Sequence, residues 1–90
     1  MTELRALRMA VGLTTYEMAE LLDCCQASIS MAERNVGCGP IAKREEEFLY
    51  SCVNVLSNNE KNEIIGIVAC LMRWDANKAE TRAHIMNMEV

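Results

Sequence analysis

Ninety residues suffice for one domain on a single small core, and 51% apolar content argues for a folded chain over a disordered one. No apolar run approaches the roughly 20 residues of a bilayer-spanning helix, and a net charge of −4 opposes indiscriminate affinity for phosphate backbones. That charge is unevenly placed. Residues 1–44 balance Arg5, Arg8, Arg34, Lys43 and Arg44 against Glu3, Glu17, Glu20, Asp23 and Glu33, so all the excess acidity belongs to residues 45–90. The first half is therefore not excluded from nucleic acid.

Seven methionines with many Ala and Leu, against few aromatics, favour a pliable helical core over a sheet. Charges at Glu3, Arg5 and Arg8 do not suit a secretory signal, and the expectation is a soluble cytoplasmic protein, not a membrane one. Five scattered cysteines, Cys24, Cys25, Cys38, Cys52 and Cys70, suit a reducing compartment. Cys24 and Cys25 are adjacent and the lone His84 is distant, which is not zinc-site spacing, so no metal or other cofactor is expected. Cys25 falls near a helix start, where a thiolate is favoured.

In chain order, Leu4, Leu7 and Val11 recur at helical spacing, with Arg5 and Arg8 on other faces, and Gly12 ends a first helix. Thr14 lies three residues before Glu17, a capping box that opens a second helix burying Met18, Leu21 and Leu22. "DCC" is a short turn. A third helix runs from about Gln26 to Glu33, with Ile29 and Ala32 inward and Gln26, Ala27, Ser30 and Met31 outward. "RNVGCGP" reads as a loop, and Pro40 suits the first turn of a fourth helix reaching Leu56, whose apolar face is Phe48, Leu49, Cys52, Val53 and Leu56. Glu45, Glu46 and Glu47 lie near its positive end.

Ser57 or Asn58 caps a fifth helix, apolar at Ile64, Ile65, Ile67, Val68, Leu71, Met72 and Trp74. That surface is wider than one packing contact needs. Residues 75–90 are polar and weakly periodic, either a sixth helix over Ala83–Met88 or a frayed end. The expectation is an all-α bundle of five helices, or six if the tail forms one. It divides into residues 1–56 and a helical extension of the same domain over 57–90.

Two short helices joined by a tight three-residue turn have the geometry of a helix-turn-helix, whose second helix enters the major groove. The stretch "GLTTYEMAELLDCCQASISMAERN" resembles the core motif of the Cro/C1-type, or XRE-family, helix-turn-helix regulators. The match lies in Gly12, Leu13, Thr14, Glu17, Ala19, Glu20, Leu21, Leu22, Gln26, Ile29, Ser30, Glu33 and Arg34, and "LRALRMAVG" is similar to that family's first helix. The likeness covers residues 3 to about 50.

The resemblance implies a compact, lambda-repressor-like bundle that binds operator DNA as a dimer. Carried over singly, it places Gln26, Ala27 and Met31 at base edges, with Ser28 and Ser30 nearby. Gln26 can pair bidentately with adenine, while Ala27 and Met31 offer apolar contact to thymine methyls. Family members often carry Arg where Met31 stands. Phosphate contacts would come from the motif's ends, Thr14, Thr15, Arg34, Asn35, Lys43 and Arg44, together with N–H groups opening the second helix. The resemblance also implies an Arg8–Glu33 ion pair acting as a clamp, and a core position for Cys24. Lys43 and Arg44, beside Glu45–Glu47, alternatively form a mixed, solvated face.

The excess apolar surface of the fifth helix suits a self-complementary dimer face through Ile64, Ile67, Val68, Leu71 and Trp74. A dimer would set half-sites about one DNA turn apart on a palindromic operator. Enzymatic chemistry finds no foothold, since there is one histidine and neither a nucleophile elbow nor a phosphate-binding glycine loop. The functional expectation is a dimeric transcriptional repressor of the compact kind found in bacteriophages and other mobile elements. Two alternatives stay open. One is an antitoxin whose acidic second half holds a toxin and which represses its own operon; the other is a protein-binding module that kept only the helix-turn-helix shape.

Overall fold

Each helix begins or ends where the local chemistry dictates. In the computed structural model, which describes the backbone of residues 1–88 and the side chains of residues 1–76, α1 spans Glu3–Val11. The Thr2 side chain accepts from the Arg5 N–H at its start. Gly12, at φ 93°, closes it by donating to the Arg8 and Met9 carbonyls, a left-handed geometry that glycine adopts at little steric cost. α2 (Thr15–Leu22) carries the full capping box: Thr14 Oγ1 accepts from the Glu17 N–H, and Glu17 Oε1 accepts from the Thr14 N–H, both at 3.1 Å. Asp23, at φ 54°, reverses the chain, and Cys24 N–H returns to the Ala19 carbonyl.

α3 (Gln26–Glu33) follows directly after Asp23–Cys25. It has Cys25 at its cap position, with no side-chain hydrogen bond to the backbone. Arg34 ends it, Asn35 turns left-handed at φ 61°, and Val36 N–H reaches back to the Met31 carbonyl. α4 (Gly39–Asn54) has Pro40 in its first turn, where the missing N–H costs nothing. It stops short of the expected Leu56. α5 (Asn58–Met88) is opened by Ser57, whose Oγ accepts from the Glu60 N–H while donating to Glu60 Oε1 at 2.9 Å. The helix continues unbroken past Trp74, so the polar tail is neither a separate sixth helix nor frayed through Met88.

The result is an all-α bundle of five helices, with no strand among the described residues. No described helix is long and apolar enough to cross a membrane. The core is Ala6, Leu7, Met18, Ala19, Leu22, Ile29, Ala32 and Leu49. Leu4, Val11, Leu13, Cys24, Ile41, Phe48, Val53, Ile64 and Val68 pack around it. Met18, Ile29 and Leu49 are fully buried, and each removes enough apolar area to contribute about 1.5–3 kcal/mol. α3 lies against both α2 and α4, while α5 packs most extensively on α1. The Met1 amino group also pairs with Asp75 of α5.

Two burial expectations fail. Leu21 is 53% exposed, because the row of α2 that meets its neighbours is Met18, Ala19 and Leu22 and Leu21 stands beside it. Glu45, which the alternative reading of a mixed, solvated face at the start of α4 would expose, is fully buried, with both carboxyl oxygens lacking a hydrogen-bond partner.

Candidate nucleic-acid interface

The Arg8–Glu33 pair underlies the surface that α2 and α3 present. Arg8 Nε lies 2.6 Å from Glu33 Oε2 and Nη2 lies 3.2 Å from Oε1, a two-pronged contact between largely buried side chains. Arg8 Nη1 also donates to the Leu13 carbonyl at 2.7 Å, and Thr2 Oγ1 donates to the Glu33 carbonyl. One guanidinium thereby joins α1, the α1–α2 turn and the end of α3.

Glu45 completes this buried cluster. Burial first, then the neighbouring Glu33 carboxylate, pushes its pKa up to about 9, against a smaller opposing pull from Arg8. Two ionised carboxylates beside one guanidinium would bury a net negative charge. A proton on Glu45 keeps the cluster neutral.

Above that clamp, the outward side of α3 is open. Gln26, Ala27 and Met31 are exposed, and Ser28 and Ser30 are half-buried. Gln26 Nε2 donates to Thr15 Oγ1 at 2.8 Å, which brings the starts of α2 and α3 onto one surface. Cys25 is exposed at the same edge, its Sγ 3.1 Å from Ser28 Oγ. That contact lowers the Cys25 thiol pKa, whereas burial and the adjacent Cys25 raise that of Cys24, which packs against the core.

The expected phosphate-contacting residues fall into two groups at opposite ends of α2, roughly 10 Å apart along its axis. At the N-terminal end, Thr15, Ser30 and Arg34 line one recess together with Arg5, Arg8 and Glu33. Arg34 is exposed, with Nε 3.3 Å from the Ser30 carbonyl, and Asn35 follows it at the left-handed turn. Thr14 is adjacent but spends its Oγ1 on the cap. At the C-terminal end, Arg44 Nη2 donates to the Leu22 carbonyl at 2.7 Å, so part of its donor set caps α2. Lys43 is exposed on the same helix as Arg44.

Arg5 is the residue that sequence reading passed over. It lies one turn before Arg8 on α1, so a pairing of Arg8 with the end of α3 draws Arg5 toward that end as well. Glu45 carried a signal of the same kind: it is four residues from both Ile41 and Leu49, on the row of α4 that packs against the core, whereas Glu46 and Glu47 are not.

On α5 the five expected interface residues divide into two rows. Ile64 and Val68 are partly buried and pack against the domain's own core. Ile67 and Trp74 are 44% and 60% exposed, and with Gly66, Cys70 and Leu71 they line a shallow apolar groove edged by Glu63. Comparison with protein-family models, with curated proteins and with solved structures finds no match to this chain.

Proposed function

We propose that the protein is a sequence-specific DNA-binding transcriptional regulator, a homodimer that represses by occupying a palindromic operator. The observation that carries this reading is the open outward side of α3, where Gln26, Ala27 and Met31 are all exposed above the Arg8–Glu33 clamp. Exposed cations stand near both ends of α2: Arg5 and Arg34 share a recess with Thr15 and Ser30, and Arg44, next to Lys43 in the chain, reaches the Leu22 carbonyl. Side chains entering a groove need not be charged, because positive charge is required only where the protein meets the strands. The Ile67–Leu71–Trp74 row offers the self-complementary face that would double these contacts.

Gel-shift titrations with the DNA upstream of the protein's own reading frame, at two salt concentrations, test the reading. The wild-type chain should bind with a clear salt slope, and Arg34→Ala or Lys43→Ala should weaken all sequences alike. Gln26→Ala should cost about 1–3 kcal/mol on the true site alone. A protein-binding role, as an antitoxin or as a module without DNA affinity, is favoured by one observation: no charged side chain stands among the outward residues of α3 before Arg34. Absence of any shift at low salt would select it.

A further inference from the structure

The recess bounded by the start of α1, the start of α2 and the end of α3 holds more positive charge than the fold uses. Of its three arginines, Arg8 is spent on Glu33, which also removes Glu33 as a source of repulsion. Arg5 and Arg34 are exposed and make no ion pair among the described residues, in a chain whose acidic residues outnumber its basic ones. Both line the recess, so an anion inside it meets two guanidinium groups that no carboxylate neutralises.

The polar groups lining the same recess have donors to spare. Thr15 Oγ1 already accepts from Gln26 Nε2, leaving its own proton to point elsewhere. Arg34 uses only Nε, on the Ser30 carbonyl, so both terminal nitrogens remain available. Ser30 is half-buried and its hydroxyl has no partner among the described residues. The recess thus offers forked donors and two hydroxyls, the set that matches a tetrahedral oxyanion.

We infer that this recess binds one phosphate-class oxyanion, gripped by Arg5 and Arg34 and aligned by the Thr15 and Ser30 hydroxyls. The inference deepens the DNA-binding reading, resting on it for the natural occupant, a backbone phosphate of the operator. Free inorganic phosphate shares the same chemistry. Arg5 then contributes to fixing where the strand crosses α1.

Two measurements separate these sources. In the first, inorganic phosphate is titrated into the isotopically labelled full chain, with chloride at matched ionic strength as control. Saturating NMR shifts should appear at the Thr15 and Ser30 amides and the Arg5 and Arg34 side chains. Arg5→Gln should weaken phosphate binding at least about tenfold, and Arg5→Lys should restore part of it. In the second, Arg5→Gln should lower the logarithmic salt slope of DNA binding by about one and weaken all sequences alike. Either result supports the recess.

Phosphate binding by a chain that never shifts DNA would keep the recess and sink the regulator reading. Phosphate shifts no larger than those from chloride, joined to an Arg5→Gln salt slope equal to wild type or to no DNA binding at all, would overturn the recess. Arg5 is exposed, so amide dispersion of the variant confirms that its fold is intact.

Discussion

At the scale of single residues, the buried carboxyl of Glu45 controls how stability depends on pH. Its pKa rises from the ordinary glutamate value of 4.5 to about 9 on folding. Below pH 4.5 the group is protonated in both states and costs nothing. Above it the unfolded chain ionises while the folded chain keeps its proton, so unfolding releases a proton and stability falls with rising pH. The slope is at most about 1.4 kcal/mol per pH unit, up to the folded pKa. Glu45→Gln has no proton to lose, so its melting temperature should overtake that of the wild-type chain between pH 5 and pH 8. A gap of about 5 °C or more at pH 8 corresponds to about 1 kcal/mol in a domain of this size. Parallel melting curves for the two proteins across that range would disprove the assignment.

Cys25 offers a second check at this scale. Its exposed thiol is lowered by Ser28 while that of Cys24 is raised by burial. Iodoacetamide at pH 7.5 should modify Cys25 before Cys24, and Ser28→Ala should narrow the difference, read by fragment-ion mass spectrometry.

At the scale of elements, helix boundaries follow their caps closely. The Thr14–Glu17 box, Gly12 and Pro40 act locally, within one turn, and local rules locate them. α3 is the exception. Cys25 gives its first turn no side-chain cap, so the helix depends on Ile29 and Ala32 docking into the core. α5 runs through the exposed Gly66 without interruption. A Cβ built at Gly66 would meet nothing within 4 Å. Gly66→Ala should therefore stabilise the monomer by about 0.5–1 kcal/mol in urea titration at dilute concentration, through lower backbone entropy in the unfolded chain. A loss of stability would mean that the groove needs the glycine.

For the molecule as a whole, the proposed dimer rests on the apolar row of α5. Ile67 and Leu71 lie on the open groove, whereas Ile64 and Val68 face the core. Ile67→Glu should yield a monomer of unchanged helicity by sedimentation and circular dichroism, because burying a carboxylate in a paired apolar face is costly and exposing it to water is not. Val68→Glu should instead unfold the domain. An unchanged mass for Ile67→Glu would remove this row from the interface.

Sequence alone determined that the chain is helical, the starts of α2, α4 and α5, the Gly12 stop and the three-residue turn, because each follows from interactions within a few residues, while it left the end of α4 and the course of residues 75–88 open. Spacing could count the apolar residues of α5 but not assign its rows, since both rows look alike until α1 occupies one of them. The burial of Glu45, the exposure of Leu21 and the convergence of Arg5 with Arg34 were decided only by tertiary structure. Helical spacing puts Glu45 in the row of Ile41 and Leu49 and Arg5 one turn before Arg8, but which neighbouring helix meets each face is set by contacts between distant segments.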